Sequence, residues 1–357
     1  MENVDNKPNS KNYCLLLFEI LACIFITFIH VRFPGEVGQY VVFIGRFGVP
    51  LFFMVSGYFM LNGVTTKEEL RNKIKKRIIR ISLLLLFSSV LYFIINISCN
   101  ASDPIGYLSS TFSLNNLYCF LLFNQSFLIT PNWFLLAMIY VYFLVLIFPN
   151  LFLKSNIFLI ITSSLSVIGT LMFVLLRNVD VYFAGLRIGD AVMFRNWLFN
   201  ALPVISIGII LSKLKEKLNR LSNKFIIVSL CVTLILMVGE LDLYRRLLGI
   251  YVELGFFTII LVSFIIALSI KYPNLLANVW FMNIRCKWTP FVYVLHSAFI
   301  SLVGSMLYYA PNNVFIEILR PILVISITIP VAIGIGYLLL FIKEKRNSNR
   351  ELNEKPE

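Results

Sequence analysis

Apolar runs long enough to cross a bilayer recur from one end of this chain to the other, and they decide its solvent. A bilayer core is about 30 Å thick, and a helix rising about 1.5 Å per residue crosses it in roughly 20 residues. Runs that meet this need, the shortest with help from flanking residues, lie at 13–31, 42–61, 81–98, 133–153, 157–176, 197–212, 225–240, 250–270, 291–309 and 321–342. Of the 357 residues, 59% are hydrophobic and 14% charged, against roughly 45–50% and about 25% in soluble domains. The fold class is therefore all-α, a polytopic transmembrane helical bundle of about ten spanning helices. The first run outlasts the apolar core of a signal peptide, and no small-residue cleavage site follows in Arg32-Phe33-Pro34-Gly35, so it is expected to persist as a helix. The stretch 117–130 is too short to span comfortably and reads as a re-entrant or surface segment.

Charge orients the bundle. With the N-terminus inside, eight of the 31 Lys and Arg fall outside, namely Arg32, Arg46, Arg177, Arg187, Arg195, Arg245, Arg246 and Arg320, and the other 23 fall inside. That asymmetry obeys the positive-inside rule, and an eleventh span at 117–130 would destroy it. Both termini are thus expected in the cytoplasm: residues 1–12 as a tail, 13–342 as one integral membrane domain, and 343–357 as a mixed-charge, disordered tail. The expected location is the cell's inner (cytoplasmic) membrane. The net charge of +13 does not point to nucleic acid, because the basic residues sit in short loops where topology explains them.

Cys14, Cys23, Cys231 and Cys286 lie in or beside apolar runs and read as packing residues, whereas Cys99 and Cys119 share a predicted external segment in which they either pair or stay free. Only two histidines exist, neither with a carboxylate or thiol at ligand spacing, so no metal is expected. Every external basic residue is Arg and every Lys is internal. The planar five-donor guanidinium fork suits carboxylate and phosphate. The external arginines therefore either pair with Asp180, Asp190 and Glu253 or line a vestibule for an anionic or hydroxyl-rich substrate.

Ionisable groups within lipid are costly and mark functional sites. Here they are Glu19, His30, Arg46 and His296, with Glu240 and Glu253 nearer the span ends. His30 ends the first span on the external side, and Arg46 lies four or five residues into the second from that side, so the two share a depth. Glu19 and His296 each lie about six residues from the cytoplasmic end of their spans and are expected to share another depth, at which they either pair or stand apart. Pro50 cannot donate to the Arg46 carbonyl, which predicts a kink there. Trp133 and Trp197, at external span ends, read as an aromatic belt.

Glu19 to His30, followed by Arg46-x-Gly-Val-Pro-Leu-Phe-Phe-Met-x-Ser-Gly-Tyr58, resembles the start of the membrane acyltransferase-3 family. Asn132-Trp133-Phe134-Leu135, Arg195-Asn196-Trp197-Leu198 with Pro203 and Gly208, and Tyr293-Val-Leu-His296 resemble its later landmarks in order, from about residue 13 to 342. The resemblance implies an integral membrane O-acyltransferase that carries an acyl group from cytoplasmic acyl-CoA, here acetyl-CoA, to a hydroxyl of a cell-surface polysaccharide or its lipid-linked precursor. On this reading His30 is the general base and Arg46 orients the acceptor or stabilises oxyanion charge. Glu19, Trp133, Arg195, Trp197 and His296 are then substrate-binding. One departure stands out, because the family usually has Arg where this chain has Glu19. Either a basic residue of 67–80 or one near Arg285 and Lys287 meets the coenzyme A phosphates, or this member is altered.

The rival reading is a non-enzymatic transporter or flippase of glycan or lipid intermediates, which would more often show an internal repeat; a glycan polymerase would more often carry a larger external loop. The topology is testable. Reporter fusions at Leu70, Leu218 and Trp280 are expected to read cytoplasmic, and those at Ile105, Gly185 and Val314 external; an external signal at Trp280 overturns the ten-span count.

Overall fold

The computed structural model describes residues 11–183, 186–307 and 313–353. The tail through residue 10, residues 354–357, the predicted external turn at 185 and the end of the ninth span beyond 307 lie outside the described residues. The chain is an all-α bundle, with one two-strand exception in which β1 (Tyr182–Phe183) pairs antiparallel with β2 (Leu186–Arg187). Helices correspond to all ten predicted spans. Eight are long and apolar enough to cross a membrane: α1 (Tyr13–His30), α2 with α3 (Gly35–Gly45 and Gly48–Tyr58), α4 (Lys67–Cys99), α7 (Trp133–Ile147) with its short 3-10 lead-in, α9 (Asn156–Leu176), α13 (Asn223–Leu248), α15 (Thr289–Met306) and α16 (Val314–Asn353). Two shorter apolar helices fill the remaining places, α11 (Leu202–Lys213), entered through a π-helix at Trp197–Ala201, and α14 (Phe256–Lys271). Short helices α5 (Pro104–Thr111), α6 (Leu114–Phe123), α8 (Pro149–Lys154), α10 (Ala191–Phe194) and α12 (Lys215–Asn219) connect them.

The sequence accounts for the helix ends. Thr66 and Glu69 form a capping box at the start of α4, and the Asn12 side chain accepts from the Leu15 N–H at the start of α1, satisfying amides that lipid cannot. Pro50 does more than kink the second span. The helix stops at Gly45 and restarts at Gly48, since Pro50 leaves the carbonyl four residues back without a donor. That span also begins at Gly35 rather than 42, so Arg46 lies deeper along it than predicted. The eighth span starts at Phe256, not 250, because Gly249 ends α13 in the left-handed region at φ 62° and Tyr251–Gly255 stay non-helical.

At the lysine-rich end, cations seal the carbonyls that helix C-termini leave open. Arg77 donates to the Ser56 and Phe59 carbonyls at 2.9 Å, Arg71 to Leu146 at 3.1 Å, Lys73 to Asn62 at 2.6 Å and Lys213 to Leu153 at 3.2 Å. The C-terminal segment departs from the predicted disorder, for α16 runs on to Asn353. Its charged residues are good helix formers, and Glu344 pairs with Arg285 at 3.3 Å. Cys99 and Cys119 do not pair; both are free, one exposed and one buried.

Residues 272–288 are mostly non-helical, exposed over 273–276 and at Trp280, and packed against the bundle at Met282, Cys286 and Trp288. The Pro273 carbonyl accepts from the Tyr13 N–H at 2.7 Å, level with the start of α1, whereas the Thr289 carbonyl faces Cys23 Sγ at 3.5 Å. The segment therefore climbs beside α1 for ten residues, about 15 Å, before α15 begins. Met282, Cys286 and Trp288 are buried along it against Ile20, Cys23 and Ala332, as non-helical backbone at membrane depth requires.

The tightest helix crossing is glycine on glycine. A Cβ at Gly57 would stand 2.0 Å from the Ile205 carbonyl oxygen, and one at Gly208 would stand 2.1 Å from that of Met54, so α3 and α11 touch backbone to backbone. Gly57→Ala or Gly208→Ala is expected to cost at least about 1–3 kcal/mol, read as a lower unfolding midpoint in detergent. Gly239→Ala, in α13 with nothing within 4 Å of the added methyl, is expected to gain about 0.5–1 kcal/mol.

Candidate active site

Interruptions of four helical spans converge at the arginine-rich end. His30 is the last residue of α1 and is exposed. Arg46 stands in the break between α2 and α3, Arg195 in the turn between α10 and the π-helix, and Glu253 in the non-helical segment before α14. Burying a charge is affordable only where partners await it, and here they do. One Arg46 Nη1 bonds a Glu253 carboxylate oxygen, and Arg195 Nη1 lies 3.6 Å from the other oxygen. The two arginine side chains are 10% and 18% exposed and Glu253 is 28% exposed.

Arg195 is a hub. Its Nη2 lies 3.5 Å from Gln125 Oε1, and its guanidinium carbon is 5.7 Å from the centre of the Trp133 ring, a cation–π distance. Its Nε is buried without a hydrogen-bond partner among the described residues. Arg32 lies 5.6 Å over the Tyr251 ring, and the charges of Arg46, Arg195 and Arg32 all act on His30 electrostatically.

Behind His30 lies His296, with ring centres 5.2 Å apart and planes tilted by 36°. His296 is fully buried. Its Nδ1 is 2.6 Å from the Tyr293 carbonyl. A carbonyl only accepts, so Nδ1 carries the proton and Nε2 is left as an acceptor, 3.2 Å from Ser297 Oγ. The Tyr293 ring packs 5.9 Å from His296, and its hydroxyl donates to the Pro131 carbonyl, next to Asn132 and Trp133. The Tyr92 hydroxyl donates to the Val294 carbonyl at 2.7 Å and accepts from the Ala298 N–H at 2.9 Å. Tyr92 thus bridges the step of the α15 ladder that brackets His296.

Asn124 aligns the two Asn-Trp segments. Buried and left-handed at φ 49°, it donates through Nδ2 to the Trp133 carbonyl at 3.1 Å and accepts through Oδ1 from the Trp197 N–H at 2.7 Å. Asn196 then caps the π-helix by accepting from the Leu198 and Phe199 N–H groups. Such helices recur at functional sites.

The fold therefore gathers His30, Arg46, Arg195, Trp133 and His296 from the sequence-derived set. Trp133 is 7% exposed and backs Arg195 instead of standing in an open mouth. Trp197 joins through its backbone, while its ring faces Tyr140 at 6.4 Å. Glu19 stands apart, half-buried towards the other end of α1, with Lys287 as the cation acting on it. Glu19 and His296 do not pair, and the shared depth expected of them fails. In α1 and α15 a seven-residue step leads from Cys23 to His30 and from Thr289 to His296, so His296 shares its level with His30. Counting from helix ends misjudged the depth because α15 starts some 15 Å along α1. Sequence offers Glu253 as an ionisable residue near a span end and as one ion-pair partner among three, and Tyr293 as part of a landmark without a role; it gives no place to Asn124 and Gln125. A usable signal existed for Asn124 and for Tyr293: Asn closing an apolar helix marks a left-handed cap, and Tyr293 lies one turn before His296.

Glu253→Gln strips the counter-charge from two guanidiniums at once. It is expected to lower stability by about 1–3 kcal/mol, less than for a fully buried pair because the carboxylate keeps some water. A thermal melt in detergent checks this; an unchanged midpoint would mean the ion pairs hold nothing together.

Neither a curated protein nor a solved structure matches the chain. A family model described as an acyltransferase domain, that of acyltransferase-3, matches residues 12–341. That match covers nearly the whole of an all-α bundle with eight helices long enough to span a membrane, and the chain belongs to the acyltransferase-3 family of membrane acyltransferases.

Proposed function

We propose that this membrane acyltransferase moves an acetyl group from acetyl-CoA to a hydroxyl of a cell-surface polysaccharide or of its lipid-linked precursor, at the external face of the inner cell membrane. The observation that carries the reading is the exposed His30 imidazole at the end of α1, its ring centre 5.2 Å from that of the buried His296. A histidine exposed at a helix end can reach an acceptor hydroxyl, which is the access a general base needs. In the proposed step His30 takes the proton of the acceptor hydroxyl as the oxygen attacks the thioester carbonyl. The C–S bond then breaks, and the coenzyme A sulfur leaves with that proton. Arg46, fixed by Glu253, orients the acceptor, and His296 sets the pose of the base by ring contact.

The donor's phosphates need cations at the lysine-rich end. Arg77 is committed to the carbonyls that end α3. The exposed Lys75, Lys76 and Arg80 of α4, and Lys287 beside Glu19, are free for that task. In this reading they replace the cation that Glu19 denies.

Mass spectrometry of surface glycans from cells with and without the gene is expected to differ by one acetyl unit per modified residue; identical spectra would remove the proposed acceptor class. His30→Ala removes a side chain at a helix end that leaves no deep cavity, so expression is expected to persist. Transfer is expected to fall by about 10²–10⁴. Well-folded His30→Ala protein acylating at the wild-type rate would show that another group is the base.

A further inference from the structure

Attack on a thioester creates an oxyanion, and among the described residues five buried side-chain N–H donors lack a partner, on Gln39, Gln125, Asn132, Arg195 and Arg320; of these, Asn132 and Arg195 belong to segments that touch the histidine pair. Asn132 is 2% exposed. Its Oδ1 accepts from the Ser88 hydroxyl at 2.8 Å. Its Nδ2 is buried without a hydrogen-bond partner among the described residues. Arg195 Nε is in the same condition, although the other two nitrogens of that guanidinium have partners. An unmet donor in so apolar a bundle is costly, and native proteins rarely leave one without a reason.

Both donors are tied to the histidine pair. Arg195 reaches Trp133, the residue after Asn132, by its cation–π contact, and its charge acts on His30. From the other side, Tyr293 packs against His296 and donates to the carbonyl of Pro131, the residue before Asn132. The chain neighbours of Asn132 on both sides are thus held, Trp133 by the guanidinium and Pro131 by Tyr293, while its own Oδ1 meets Ser88 and its Nδ2 meets nothing among the described residues.

We propose that Asn132 Nδ2 and Arg195 Nε are the oxyanion-stabilising donors of this acyltransferase. The inference rests on the acyl-transfer reading above. As the acceptor oxygen bonds to the thioester carbon and its proton passes to His30, the carbonyl π pair moves onto oxygen, and these two N–H groups receive that charge. When the pair returns, the C–S bond breaks and His30 returns the proton to sulfur. Oxyanion donors act on the transition state and leave ground-state binding nearly untouched.

The test uses purified full-length protein in nanodiscs, radiolabelled acetyl-CoA and surface polysaccharide from cells lacking the gene. Asn132→Ala is expected to lower kcat by about 10²–10³-fold with KM for acetyl-CoA nearly unchanged. Ser88→Ala removes the contact that holds Asn132 but keeps the donor, and is expected to cost less than about tenfold. Arg195→Lys keeps the charge without Nε and is expected to show the same kcat-selective loss, which keeps the proposal testable if Asn132→Ala does not fold. An Asn132→Ala protein with wild-type kcat, or with its loss confined to KM, would overturn the proposal. So would Ser88→Ala costing as much as Asn132→Ala, or, where Asn132→Ala does not fold, Arg195→Lys with wild-type kcat. Wild-type protein that transfers no acetyl group overturns the functional reading itself; active wild type with indifferent variants overturns only the assignment of the donors.

Discussion

A single carboxylate, Glu253, holds the arginine-rich end together. It joins Arg46 and Arg195, two residues that stand in separate helix interruptions, and it stands in a third itself. Each guanidinium would be an unpaired cation inside a largely apolar body if the carboxylate were absent. The interruptions and the charges belong together. A regular helix satisfies its own backbone and presents only side chains, whereas a broken one opens room for polar groups to meet. Pro50, the π-helix after Asn196 and the glycines flanking Tyr251–Glu253 each supply such a break.

Around that anchor the histidines divide the work of position and access. His30 is exposed at the end of its helix, while His296 is sealed in, its tautomer set by a backbone carbonyl. Basic residues divide by end in a similar way. The arginines near Glu253 surround the candidate chemistry, whereas several lysines and arginines at the opposite end close helix termini. Positive charge on that side thus serves the fold as well as the orientation in the membrane.

Much of this was legible in sequence. Hydropathy located every span, because a 20-residue apolar run has few alternatives to a membrane helix. The gathering of His30 and Arg46 followed from their places on neighbouring spans, and the family landmarks named Arg195, Trp133 and His296. What escaped the sequence was relative height. Nothing in residues 272–288 announces that a non-helical segment climbs beside α1, so His296 was set beside Glu19 when it belongs beside His30. Helix ends also moved wherever glycine or proline acted at a distance, as at Gly249 and Pro50. The importance of Asn124 and Asn132 lies in which of their atoms find partners, and only three-dimensional contact decides that.

The glycine seam between α3 and α11 carries a mechanical consequence. The two helices are pinned at their crossing by Gly57 and Gly208, and near their starts Arg46 and Arg195 are pinned to one carboxylate. Two members fixed at two points form a truss that cannot splay. The separation of the two helix starts is then set by backbone contact and by the shared carboxylate together. The other wall, where α1 and α15 meet through the tilted imidazoles and apolar side chains, has no such ionic tie among the described residues.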